Sequence, residues 1–170
     1  VDLSQVHTVA GDFDRSEAEE IVDTPRITGD AVTHYVRFCN RQRAVAFCIS
    51  VAHAQHVADI FNSCGIPAAS IDGTLDPEVR KQRVEDLTAG KILVLTSCEL
   101  ISEGFDLPAV NAAILLRPTH SLSMHLQQVG RALRPYPGKT NAIILDHVGN
   151  CLRHGLAEQE RDWDLSGREK

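Results

Sequence analysis

No apolar run in this chain approaches the ~20 residues a membrane-spanning helix needs, so no membrane partner is expected. No segment has the charged, then apolar, then small-residue order of a secretory leader. Positive charge is in short supply: 17 Lys and Arg stand against 23 Asp and Glu, for a net charge of −6. That balance argues against broad, nonspecific nucleic-acid binding and leaves room only for a local basic track. Cysteines are ill placed for cross-links. The five (Cys39, Cys48, Cys64, Cys98, Cys151) are odd in number, scattered and without a CxxC pair. They offer no basis for a disulfide framework or a zinc knuckle, and they fit a reducing, cytoplasmic setting. There is no internal repeat and no low-complexity tract. The chain begins at Val1 in place of Met, which leads us to expect a piece of something longer.

What is present reads as one soluble domain. A length of 170 residues suffices for a sizeable core, and 43% hydrophobic with 24% charged residues is ordinary for a globular protein. Short apolar runs alternate with helical patterns. RAVAFCIS (43–50), IPAASID (66–72), KILVLTS (91–97), AAILLR (112–117) and NAIILDHV (141–148) read as buried strands. Between the first two, Val57, Ile60, Phe61 and Cys64 have the spacing of a helix's inner face, with Gly65 as its stop. Asp76 and Pro77 open another helix as N-cap and first residue, and Gly90 closes it. A further helix is expected from about Ser121. Strand and helix alternating with short connections predict a parallel sheet covered by helices on both faces. We divide the chain into a helical lead-in (1–42), the α/β unit (43–155) and a polar tail (156–170) holding the single Trp163. The lead-in is read as two helices, RSEAEEIV and GDAVTHYVRFCN, without strands between them. In such sheets the loops at the carboxyl ends of the strands build the site.

One stretch stands out. In LQQVGRALRP (126–135), Gln127, Arg131 and Arg134 are spaced by four and then three, one face of a helix. Gly130 would let that helix approach another surface. The plain alternative is a pair of cations complementing the dipole at a helix C-terminus.

AFCISVAHA, DGTLDPEVRKQR, VLTSCELISEGFDLPAV and QQVGRALRP follow one another at particular distances. In that order they resemble the second (C-terminal) RecA-like domain of a superfamily 2 helicase of the DEAD/DEAH-box type, over roughly 43–146. LDHVGNCLRHG and RDWDLSG are similar to bacterial members. The resemblance implies an α/β, RecA-like three-layer fold with a mostly parallel sheet. It implies that Arg134 and Arg131 are catalytic, Arg134 being the arginine finger. Gln127, Gly104, Asp106, Arg131 and Arg134 would contact ATP. Ser50, Gly73, Arg80, Thr96 and Ser97 would contact the nucleic-acid backbone. Asp72 stands where the family usually has His. The implied cofactors are ATP and Mg²⁺, and the implied partners are DNA, favoured over RNA, and the chain's own N-terminal RecA-like domain.

Missing altogether are a GxxxxGK[ST] loop and a DEAD or DEAH box, the parts that hold phosphates and Mg²⁺. The chain therefore reads as half of an ATPase site, inactive by itself, with Mg²⁺ held by an absent domain. Other readings stand beside this one. Thr96 and Ser97 could cap a following helix, Gly104 and Asp106 could form a turn before Pro108, and Arg80 and Arg83 could lie on a solvated face. No metal site is expected, although His147, Cys151 and His154 are spaced by four and three. For function, the alternative is a noncatalytic nucleic-acid or protein binding module. A flavodoxin-like nucleotide enzyme ranks last, because ISVAHA lacks glycine.

Overall fold

The computed structural model describes residues 1–98 and 110–161. Gly104, Asp106 and Trp163 lie outside the described residues. Each apolar run condenses to a four-residue strand, because its flanking residues are taken up by loops and caps. The strands are β3 (Ala44–Phe47), β4 (Ala68–Ile71), β5 (Val94–Ser97), β6 (Ala112–Leu115) and β7 (Ile143–Asp146). All neighbours pair in parallel, in the order β4-β5-β3-β6-β7. The register sets Ile71 beside Ser97, Ser97 beside Phe47, Phe47 beside Leu115 and Leu115 beside Asp146. All five carboxyl ends therefore finish in one row, along one edge of the sheet.

Helices α3 (Val51–Ser63), α4 (Pro77–Thr88) and α5 (Leu122–Leu133) lie in the connections between strands, and the short α6 (Asn150–His154) follows β7. Asp76 caps α4 as expected, accepting from the Glu78 amide at 2.8 Å. Cys64, expected on the inner face of α3, is exposed; the inner face is His53, Ala54, Val57, Ala58 and Phe61. Alternate strand residues supply two apolar layers. On one face Val45, Phe47, Leu95, Ala113 and Leu115 meet Leu87 of α4 and Val129 and Ala132 of α5. On the other, Ala44, Ala46, Val94, Ala112 and Ile114 meet Val57 and Phe61 of α3.

The first forty residues differ from the all-helical expectation. A hairpin of β1 (Thr8–Val9) and β2 (Asp12–Phe13) comes first, antiparallel, turning through Ala10 and Gly11 at φ 51° and 83°. Two-residue strands are too short to show a period, so the apolar pattern did not betray them. Then come α1 (Arg15–Val22), α2 (Pro25–His34) and a π-helical turn at Tyr35–Cys39. Leu3, Phe13, Ala18 and Val22 join the first apolar layer, and Ala31, Val32, Tyr35 and Cys39 join the second. Residues 1–42 thus share both layers with the sheet.

Burial holds the imidazoles of His53, His125 and His147 below the ordinary histidine range. The unfolded chain therefore binds protons that the folded one refuses, and folding stability is complete only above the unfolded value of about 6.5. His7 shifts the other way through Glu17, but it lies at the surface, where solvent screens the pair. Urea midpoints measured along a pH series are expected to fall as pH drops below about 6.5. A midpoint that does not move across that range would show that these rings are protonated inside the fold.

Candidate functional site

The carboxyl edge of the sheet gathers Ser50, Gly73, Thr96 and Ser97 of the residues singled out from the sequence. Ser50 leaves β3 as the N-cap of α3, accepting from the His53 amide at 3.0 Å. Its hydroxyl also donates to the carboxylate of Glu19 on α1. A negative group already faces the position at which a phosphate contact was expected. Thr96 is fully buried and donates to the Ala54 carbonyl at 2.7 Å, tying β5 to α3. In this arrangement its hydroxyl faces the interior. Ser97 is buried at the strand end, and its carbonyl accepts from the Cys48 amide at 2.7 Å.

Beyond β4, the carboxylate of Asp72 accepts from the Thr74 amide at 2.7 Å and the Thr74 hydroxyl at 2.5 Å. The hydroxyl contact is the main reason its pKa lies below the usual carboxylate range. Asp72 thus builds a turn where the resembled family has His. That turn presents Gly73 outward, and a Cβ added there would meet nothing within 4 Å among the described residues. Arg80 is half-buried on α4, and its Nε has no hydrogen-bond partner there among the described residues. Arg83 is not on a solvated face. It reaches back to the Ser70 carbonyl, while the Ser70 hydroxyl donates to Gln55 at 2.8 Å.

The stripe in α5 is divided. The helix begins at its N-cap Ser121, which accepts from the Met124 amide at 3.2 Å, and buries His125, Gln128, Val129 and Ala132. Gln127 and Arg131 point away from that face, Gln127 exposed and Arg131 half-buried. Arg134 does not share their helical face. The helix stops at Leu133, and Arg134 adopts φ −57°, ψ 126°. Pro135 is the cause, since its ring disfavours a helical conformation in the residue before it. Gly130 lies inside the helix with nothing within 4 Å of an added Cβ among the described residues. No packing within the described domain accounts for a residue that weakens a helix by about 1 kcal/mol relative to Ala.

His147, Cys151 and His154, whose spacing the sequence left open as a metal question, do not form a ligand group. His147 stacks on His34 with centroids 5.2 Å apart, while His154 Nε2 donates to the Thr119 carbonyl at 2.8 Å. Among the described residues no group of three His, Cys, Asp or Glu could hold a metal ion.

Two side chains that the sequence did not mark organise the loop after β6. Asp12 on the hairpin accepts from the Thr119 hydroxyl at 2.9 Å and the His120 amide at 2.7 Å. Asn150 accepts from the Thr119 amide at 3.1 Å and donates to the Arg117 carbonyl at 2.9 Å. Asp12 also lines a cleft of about 490 Å³, together with Phe13, Arg15, Ile49, Arg117 and Met124. Arg117 is buried at its wall and donates to the Cys98 carbonyl at 3.0 Å.

Residues 28–136 match the family described as the helicase conserved C-terminal domain. The chain is 37% identical over 163 residues to a 51.5 kDa protein of Lactococcus phage (isolate 7-9), covering 96% of this chain and 36% of that protein. It is 33% identical over 117 residues to irc3 of Schizosaccharomyces pombe, provisionally named a mitochondrial ATP-dependent helicase, covering 69% of this chain and 19% of that one. The chain thus spans little more than a third, or less, of these relatives' lengths. Among solved structures, a fragment provisionally described as the HsdR subunit of a type I restriction enzyme from Vibrio vulnificus YJ016 superposes with a TM-score of 0.68. Identity is 18%, over 85% of this chain and 31% of that one. The E. coli DEAD-box protein SrmB superposes with a TM-score of 0.59 at 17% identity, over 81% of this chain and 74% of that one. At such identities these likenesses speak to the fold, and the fold is the five-stranded parallel sheet with helices on both faces described above. The chain belongs to the helicase conserved C-terminal domain family, and its fold is that of a RecA-like helicase C-terminal domain.

Proposed function

We propose that this chain is the C-terminal motor domain of an ATP-dependent nucleic-acid helicase or translocase, completing an ATP site whose Walker-type half lies on another domain. The observation that carries the reading is the placement of Gln127 and Arg131 on the outward face of α5, with Arg134 just past its end, in a chain lacking a phosphate loop of its own. Gly130 supports it, because a bare backbone on the same helix admits a closely approaching surface. Guanidinium groups suit bidentate contact with a γ-phosphate, and the partner domain would supply the phosphate cradle and Mg²⁺. Gly104 and Asp106, outside the described residues, are proposed to contact ATP as well.

On the nucleic-acid side, exposed Gly73 with Arg80 and Ser97 would meet the backbone. Ser50 would do so once Glu19 withdraws. Thr96 then acts by tying β5 to α3. DNA is the favoured strand, argued from the form of EGFDLP and QQVGRALRP in this chain.

The test joins the domain to its native upstream half and measures ATP hydrolysis with and without DNA or RNA. Hydrolysis is expected only in the joined protein and only with nucleic acid present. ATP turnover or tight ATP binding by the isolated chain would contradict the half-site reading.

A further inference from the structure

Arg134 is the first residue beyond α5, so helical hydrogen bonds do not fix the direction its backbone takes. Pro135 keeps it out of the helix, and Lys139 bonds to its carbonyl. Its half-buried ammonium donates to the carbonyls of Val110 at 2.8 Å and Arg134 at 2.9 Å, and also to that of Ala132. An ammonium has three protons, and here each has a backbone acceptor. Two of the acceptors are carbonyls that the end of α5 would otherwise leave unpaired. The third, Val110, lies in the segment that leads into β6.

The loop that returns Lys139 to this point is itself anchored. The Lys139 amide donates to the Tyr136 carbonyl at 3.1 Å, and Gly138 turns at φ 84°. The Tyr136 ring lies under Arg43 at 5.3 Å and Lys139 at 5.4 Å, and its hydroxyl donates to Asn111 Oδ1 at 2.6 Å. Val110 and Asn111, at the start of β6, therefore hold both the lysine and the tyrosine of one short loop. Burial keeps the lysine below the ordinary lysine range, as expected of an ammonium drawn out of water.

We propose that Lys139 is a positioning residue for Arg134, locking the backbone from which the guanidinium projects and tying it to the segment that leads into β6. The proposal rests on the reading of Arg134 as the residue that meets ATP. The competing account is that Lys139 only caps a helix end, a stability role.

A double-variant experiment in the two-domain protein separates them. Lys139→Met keeps the apolar stem and removes the donors. It is expected to lower kcat for nucleic-acid-stimulated ATP hydrolysis by ~10²-fold, the scale of a misplaced catalytic group. KM for ATP and Kd for nucleic acid should stay at their wild-type values. Combined with Arg134→Ala, it should be no slower than Arg134→Ala alone, because both changes remove the same contribution. A multiplicative loss in the double variant would overturn the proposal, since a plain stability defect adds to the loss of Arg134. So would wild-type kcat in Lys139→Met beside an inactive Arg134→Ala, and that result would leave the half-site reading intact. Wild-type kcat in Arg134→Ala would overturn both. Lys139→Arg guards against misfolding: it keeps the charge, but a planar fork does not match three converging carbonyls. It is expected to fold and still lose kcat, and a wild-type rate in that variant counts against the proposal.

Discussion

Arg134→Ala in the two-domain protein is expected to slow nucleic-acid-stimulated ATP hydrolysis by ~10³- to 10⁵-fold, the range an arginine finger contributes. Phosphoryl transfer spreads charge over the γ-phosphate oxygens, and a protein accelerates it mainly by positioning and by placing fixed positive charge there. Arg134 is exposed and lies just past α5, in extended conformation, so its side chain projects from the end of the helix. Substitution of an exposed residue ordinarily changes stability by no more than about 0.5 kcal/mol, so the thermal midpoint of the variant should match the parent. Arg134→Lys should recover little, because a point charge on a flexible stem does not reproduce the bidentate fork. The measurement is steady-state kcat at saturating ATP and saturating nucleic acid. A rate equal to the parent's would remove Arg134 from the reaction.

The sheet was legible from the sequence because strands buried on both faces appear as uninterrupted apolar runs, and all five runs became strands of the one sheet. Helix α4 was legible because Asp76 and Pro77 are local signals read one residue at a time. The β1–β2 hairpin escaped, although Ala10-Gly11 between Val9 and Asp12 was a turn signal. The exit of Arg134 from its helix was also readable in principle, from Pro135.

What no local pattern could reveal is the partner of a polar group. The acceptor for the buried Thr96 hydroxyl lies on α3, the acceptor for Ser50 on α1, and the clamp on Thr119 on the N-terminal hairpin. Spacing along the chain identified which residues to examine at the carboxyl edge. It could not tell a ligand contact from an internal tie, and for Thr96 the hydroxyl is used internally.

Asn150→Leu is expected to lower the unfolding free energy of the isolated domain by about 2–6 kcal/mol, the second-largest effect we anticipate. The side chain is fully buried and makes three bonds, accepting from the Thr119 amide and from Arg153, and donating to the Arg117 carbonyl. Leucine has similar bulk, so the loss is polar. It leaves a buried amide and a buried carbonyl without partners, at about 1–3 kcal/mol each. Thr119 and Arg117 are themselves buried, so water has little access to replace the bonds. The damage should spread to α5, because the Thr119 hydroxyl accepts from the amide of Ser121, the N-cap of that helix. Urea unfolding reads the stability, and hydrogen exchange at the Thr119 and Ser121 amides reads the spread. Faster exchange at Thr119 alone would confine Asn150 to its own loop. Faster exchange at both would make it the residue through which the loop after β6 sets the start of the helix carrying Gln127 and Arg131.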